Sequence, residues 1–563
     1  MSANPEILID LCWKEILHFH RMNAHYSERK YPMIPFSESY PYPSRRNAVY
    51  GRRGMVATSH PLATEAGMAI FRKGGNAIDA AVATAAALSI VDPASTGPGG
   101  DMFAIVHTGG KMYGLNASGH SAEMFTLDEL KKRGHESIPG TGWMPVTVSG
   151  GVAGWAALCK RFGKLSMAEI MAPAVELAQA HPASADYAEV VNSYIKQYGE
   201  KNDPIYAPWF DLFAPDRQEI RVGQLVSLKE LGASLAEIGA TDGESFYRGA
   251  LARAMAVWSE QSGGLLRYDD FASYQPEWVE PISINYRGYD VWELPPNGQG
   301  ITPLIALNIM EGFEAISHAD AMTVHRQIES MKLAFADAFA YIADPNHMTV
   351  KVEDLISKEY AAKRRSLIGE RAILPEPGDP YRGGTVYLCA ADGEGNMISF
   401  IQSVAMSMGS GIVIPGAGIL MQNRGANFKM DSTHPNCAGP RKRAFNTIIP
   451  GFLTKDGQPV GPMGVMGGYM QPQGHMQVTM NMIDYGMNPQ AALDAPRWFW
   501  QRGKVVRIES GYSPLVLDSL TARGHELELD GKGYGRGAII VRDMDGVLCG
   551  GTEPRGGGAI MAY

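Results

Sequence analysis

The sequence is poor in cysteine. Five residues (Cys12, Cys159, Cys389, Cys437 and Cys549) are scattered over 563 positions, and none forms a C-x-x-C pair. An odd, sparse set in so long a chain excludes a disulfide framework and points to reduced thiols. Excess positive charge is also missing. The formal net charge is −9, which excludes a nucleic-acid surface or an anionic membrane as the main partner. Long apolar runs are absent too. The longest, 77–91, contains Asp79 and is too short to span a bilayer. The first 21 residues carry Glu6, Asp10, Lys14 and Glu15 inside their apolar part, with no basic leader region and no Ala-x-Ala site. No secretory signal is read there, and a soluble cytoplasmic protein is expected. There is no H-E-x-x-H, G-x-S-x-G, Walker A or EF-hand pattern, so neither a metal nor a cofactor is expected.

What remains is an ordinary globular composition, 45% hydrophobic and 19% charged, enough for a large core. Glycine (64) and proline (35) are abundant, which implies many tight turns. Residues 1–46 read as an extension, with helical spacing over 7–20 broken by Tyr40-Pro-Tyr-Pro. A strand over 55–59 and a helix opening at His60-Pro61 follow. The Ala-dense stretch 73–88 reads as a core helix, with Asp79 as a structural cap. Thr96-Gly-Pro-Gly-Gly-Asp101 reads as a structural turn before two strands, 102–106 and 112–116. Residues 145–380 read as mostly helical, with helices over 154–161, 167–180, 228–239, 247–259, 303–310 and 325–337. In the last of these, Glu329, Lys332 and Asp337 read as a solvated face and His325 as structural. Beyond residue 385 the texture changes to short strands, including 412–415, 418–422, 447–453 and 460–465, with a helix over 476–485.

The most informative stretch is Tyr381-Arg-Gly-Gly-Thr-Val-Tyr-Leu-Cys-Ala-Ala-Asp392, followed by a turn to Asn396 and a second apolar run to Ser403. Glycines 383 and 384 run straight into Thr385, the first residue of a strand. Cutting the Gly384–Thr385 bond would place a hydroxyl and a free amine on one residue, a self-contained nucleophile and base.

Ten stretches in collinear order resemble the gamma-glutamyltransferase family of N-terminal-nucleophile hydrolases. They include Gly74-Gly-Asn-Ala-Ile-Asp, Gly97-Pro-Gly-Gly-Asp101, Leu294-Pro-Pro-Asn-Gly298, Gly384-Thr385, Gly467-Gly468, Ala495-Pro-Arg497 and Glu553-Pro-Arg555. The resemblance implies an αββα sandwich, an α/β (α+β) fold. It also implies a precursor that cuts itself before Thr385 into a large chain, 47–384 behind the extension, and a small chain, 385–563. The two chains stay together, with a dimer of such heterodimers as a further option. Thr385 is then the nucleophile, Ser403 the second hydroxyl that supports it, and Gly467 and Gly468 the oxyanion-hole pair. The partner is a small-molecule amide.

The departures bear on that substrate. The family's arginine clamp for the glutamyl α-carboxylate falls near Ser118. Its α-amino ligands fall on Ala405 and Asn427, and a serine pair falls on Asn446-Thr447. Losing both charged partners removes two charge-assisted interactions of about 1.5–3 kcal/mol each. The same region gains Arg424, suited to a simple carboxylate, and Tyr469, suited to a pocket wall. The pattern is similar to the divergent branch with oxamate amidohydrolase and cephalosporin acylase-like proteins. It implies a small acidic amide as substrate. A gamma-glutamyltransferase or glutathione hydrolase, and a non-catalytic relative, are the alternatives.

Overall fold

Two seven-stranded sheets carry the fold. The first runs, edge to edge, Ala559–Ala562, Gly54–Thr58, Val386–Asp392, Met397–Ser403, Asp101–Thr108, Lys111–Ala117 and Glu277–Val279. The second runs Val49–Gly51, Leu548–Thr552, Arg536–Arg542, Gln458–Met466, Gly451–Lys455, Tyr289–Glu293 and Ile282–Tyr286. The computed structural model describes residues 46–374, 385–529 and 531–563. The helix expected over 7–20, residues 1–45 of the expected extension and Gly384 lie outside the described residues.

The sheets face each other through their central strands. Helices Pro61–Arg72 and Ala77–Val91 cover the outer face of the first sheet, and Ile301–Glu311 and Met470–Ile483 cover the second. This is the expected αββα sandwich. All fifteen residues of Ala77–Val91 are buried, because alanine lets the helix lie close to the strands beneath it. Asp79 closes a capping box with Asn76, and Asp392 accepts from the Ala77 N–H at 3.0 Å. The turn of the central hairpin is thereby tied to a helix N-terminus, where a carboxylate is favoured.

The described part of region 145–380 is mostly helical, as expected, and its Ile282–Tyr286 and Tyr289–Glu293 form a hairpin around Arg287-Gly288. Three expectations are corrected. The helix expected over 247–259 is two helices, Glu244–Arg248 and Ala250–Gln261, broken at Gly249. The strand expected over 447–453 begins only at Gly451, because Asn446 and Thr447 are drawn off to bond residues 297 and 299. The charges of Ala321–Tyr341 do not form a solvated face. Glu329 and Lys332 are fully buried and paired at 2.7 Å, and Asp337 pairs with Arg364 at 2.8 Å. The helix is covered by Ile301–Glu311, Pro514–Ala522 and the segment ending at Ile373, so it has little solvated surface to offer.

A second buried pair lies in the core. Glu293 Oε1 and His475 Nδ1 are 2.6 Å apart and both residues are fully buried. Burial holds the Glu293 carboxyl well above its ordinary range and pulls His475 down to about 3. The native pair thus holds one proton near neutral pH. The same two groups in an unfolded chain hold two protons below about pH 4.3, one up to about pH 6.5 and none above. Stability from this pair is therefore flat between those values and falls on either side by about 1.4 kcal/mol per pH unit. Glu293→Gln removes the alkaline loss. With only His475 left to titrate, the variant loses stability at every pH below about 6.5, so its apparent Tm, measured by differential scanning fluorimetry, should gain on the wild type from about pH 4.3 upward.

Candidate active site

The hairpin register builds the centre of the site. Val386 pairs with Gln402, so one further step sets Thr385 across from Ser403. Ser403 in turn pairs with Asp101 on the next strand. Thr385 is 2% exposed and Ser403 fully buried. The Thr385 hydroxyl donates to Ser403 Oγ at 3.3 Å, and the Ala405 N–H donates to the same oxygen at 2.8 Å. Ala405 reaches it by adopting a φ of 79°, a left-handed conformation that costs a non-glycine residue on the order of 1 kcal/mol. The turn at Gly99-Gly100 closes over this end of the hairpin. A Cβ on Gly100 would lie 2.4 Å from the Ser403 carbonyl oxygen, so only glycine fits. That agrees with a structural turn.

Gly467 and Gly468 end the strand Gln458–Met466 with φ values of 129° and 60°, which glycine alone adopts readily. Their carbonyls accept from the N–H groups of Met470 and Gln471 as the helix Met470–Ile483 begins, and Gln299 Nε2 also donates to the Gly468 carbonyl. A buried network holds the turn from behind. Arg497 pairs with Glu553 at 2.9 Å and donates to the Tyr534 carbonyl, while Gly535 lies against Gly467. The two Pro-Arg motifs thus brace the turn.

Sequence reasoning missed Gln471. It is fully buried and donates through Nε2 to Thr385 Oγ at 3.5 Å. The helix expected over 476–485 begins six residues earlier, at Met470. Pro472 stands third in the helix, where no intrahelical N–H is required, and Gly474 lets the helix press onto Val465. Proline in a first turn was the available signal.

Asp101, across from Ser403, belongs to an ion pair. Arg424 is 1% exposed, and its Nη1 donates to Thr447 Oγ1 at 2.9 Å. Its Nε stands 3.9 Å from Asp101 Oδ2. Neither Nε nor Nη2 has a hydrogen-bond partner among the described residues. Burial pulls the guanidinium down to about 10, against the pull of Asp101 and Tyr469, so it stays a cation at neutral pH. Burial also raises the Asp101 carboxyl, while Arg424 and the N–H groups of Gly119 and Gly150 oppose the shift. Asn446 donates to Asp101 Oδ2 at 3.2 Å. Tyr469 packs with Phe335, Phe339 and Phe445. Thr385, Ser403, Arg424, Asn446 and Thr447 are thus linked through Asp101 and its strand. Ser118 and Asn427 join differently. The Ser118 hydroxyl is taken up by Asn116 and Asn297, and the Asn427 amide donates to the Phe445 carbonyl.

One group among the described residues has ligand-like spacing for a metal. His325, Glu329 and His525 offer atoms within 4.8 Å of one another. Hydrogen bonds account for it. His325 Nε2 donates to the Gly369 carbonyl, so its Nδ1 accepts from His525 Nε2 at 2.8 Å. The Lys332 ammonium already sits 2.7 Å from Glu329 and would repel a cation. The group anchors the segment at Gly369 and Ile373. Removing one partner of such a pair leaves a buried charge, at about 3–5 kcal/mol. Lys332→Met should accordingly lower the thermal midpoint in calorimetry, and Glu329→Gln in the same chain should restore part of it.

A family model described as gamma-glutamyltranspeptidase matches residues 63–563. The chain belongs to this family. It is an N-terminal-nucleophile hydrolase, and its fold agrees. A glutathione hydrolase-like YwrD proenzyme from Bacillus subtilis is 37% identical over 531 residues, covering 91% of this chain and 99% of the relative. An oxamate amidohydrolase proenzyme from Klebsiella pneumoniae is 31% identical over 526 residues, covering 91% and 98%. The solved cephalosporin acylase from Bacillus halodurans is 51% identical, with a TM-score of 0.92 over 94% of this chain and 99% of that one. Both curated relatives are named as proenzymes. No helix among the described residues is long and apolar enough to cross a membrane.

Proposed function

We propose that the chain is a threonine amidohydrolase that processes itself at Gly384–Thr385 and cleaves a small acidic amide, oxamate-like or a dicarboxylic acyl amide. The observation that carries the substrate class is Arg424, a buried cation with two nitrogens unpartnered among the described residues, paired with Asp101, which lies across from Ser403. A carboxylate on the acyl group would fill both nitrogens at once, with Tyr469 as an aromatic wall. The fates of Ser118 and Asn427 support the same reading, since neither side chain offers the charge that a glutamyl zwitterion needs.

In processing, Thr385 Oγ attacks the Gly384 carbonyl carbon, the C–N bond breaks, and water resolves the ester. The large chain then ends at residue 384 and the small chain begins at Thr385. The new α-amine, with an ordinary pKa near 7.7–8.0, takes the Oγ proton as the substrate carbonyl is attacked. Ser403 supports that transfer. The Gly467 and Gly468 N–H groups face the developing oxyanion. An acyl-enzyme forms, ammonia or an amine leaves, and water releases the acid.

Strands from both sides of the cut alternate in the first sheet, where Val386–Asp392 lies beside Gly54–Thr58 and Met397–Ser403 beside Asp101–Thr108. Two cleaved chains would therefore stay interleaved. Unpaired thiols at Cys159, Cys389, Cys437 and Cys549 suit a cytoplasmic setting. The test is a panel of oxamate, a glutaryl amide and gamma-glutamyl-p-nitroanilide, followed by product release. The acidic amides should lead in kcat/KM by about 100-fold or more, the worth of two lost charge-assisted contacts. Fast gamma-glutamyl turnover would overturn this substrate class.

A further inference from the structure

We infer that Gln471 is a further catalytic residue, a side-chain amide that donates to the nucleophilic oxygen and stabilises it each time it acts as a leaving group. The inference rests on Thr385 being the nucleophile. The orientation of the amide is fixed by its other end. Gln471 Oε1 accepts from the Ile449 N–H at 3.0 Å, so the NH₂ faces Thr385, and Nε2 donates to Oγ at 3.5 Å. The side chain is fully buried and rises from the first turn after the Gly467-Gly468 pair. It is thus set by the same turn that sets the expected oxyanion donors. Among the described residues, Thr385 Oγ has one N–H coming in from Gln471 and one O–H going out to Ser403, which leaves a lone pair for a carbonyl carbon.

The chemistry makes the two half-reactions unequal. While Oγ attacks, a donor on it stabilises the forming alkoxide but also holds the attacking lone pairs, and the effects partly cancel. When the ester is resolved, water gives a proton to the α-amine of Thr385 as its oxygen bonds to the acyl carbon, and the C–Oγ bond breaks. Its electron pair stays on Oγ, which takes a proton from the α-ammonium of Thr385. Here the Gln471 N–H only helps, and the hydrogen bond shortens as charge grows on Oγ. Loss of Gln471 should therefore slow ester resolution more than ester formation, both in self-processing and in turnover.

The test follows processing in a cell-free translation time course of the full chain, with and without hydroxylamine, which cleaves esters but not peptide bonds. Gln471→Ala removes the amide. Gln471→Glu keeps an oxygen for the Ile449 N–H but, when ionised, has nothing to donate, and it decides the matter if the alanine variant does not fold. Both should process about 10–100-fold more slowly, the effect of one lost hydrogen bond to a charged oxygen. Both should also accumulate a full-length species that hydroxylamine splits into two bands. Processing at the wild-type rate, or slow processing with no hydroxylamine-labile species, would overturn the role of Gln471. A wild type that is never cut, or a Thr385→Ala chain that is cut, would instead overturn the nucleophile itself.

Discussion

Thr385→Ala is expected to run as one full-length band on a denaturing gel, where the wild type should run as chains of 384 and 179 residues, and to hydrolyse no amide. The expectation follows from atom count. Alanine has no oxygen to attack the Gly384 carbonyl, so the peptide bond is not exchanged for an ester and no α-amine is released. The two losses coincide because one hydroxyl serves both steps. The fold should be unaffected. Among the described residues, Thr385 Oγ makes the long contacts to Ser403 and Gln471, so a thermal midpoint close to that of the wild type is expected. Thr385→Ser sharpens the test. It keeps the hydroxyl but loses the γ-methyl that restricts χ1, so two bands should still form, only more slowly. An active wild type that runs as a single band would sink the mechanism. So would a Thr385→Ala chain that still hydrolyses amides.

Much of this was legible because local chemistry and the fold agree. A Gly-Gly-Thr step into an alternating strand, a turn at Asp392 to Asn396 and a returning strand to Ser403 specify a hairpin. Its register alone brings two hydroxyls together across eighteen residues. The Ala-dense helix could only be buried, and it is. What was not legible depends on packing that a single stretch does not contain. Glu329 and Lys332 look like solvated charges on a helix, and only the segment at Ile373 and the His525 ring make them a buried pair. Gln471 was hidden because the helix was expected only from Met476, although Pro472 has a place in a first helical turn. Ser118 and Asn427 stand where the family resemblance suggests pocket residues, and the partners of their side chains, Asn297 and Phe445, are not legible in either stretch.

Arg424→Met is expected to raise KM for an acidic amide by about 10–100-fold while leaving self-processing at its wild-type rate. The split arises because the two reactions present different groups to one site. The Gly384–Thr385 bond carries no side-chain carboxylate, so the unpartnered Nε and Nη2 of Arg424 contribute nothing to its scission. A substrate carboxylate would engage both, at about 1.5–3 kcal/mol for a charge-assisted contact. Methionine fills a similar volume but leaves Asp101, across from Ser403, without its cation. Arg424→Lys controls for that disturbance. It keeps a positive charge near Asp101 and loses the two-nitrogen fork. If the fork binds substrate, the lysine variant should process normally and still show most of the rise in KM. An unchanged KM in both variants would remove Arg424 from the pocket. If Arg424→Met and Arg424→Lys both lost processing, Arg424 would be a brace for the Asp101 strand and the hydroxyl pair. The acidic-amide reading would then have to stand without it.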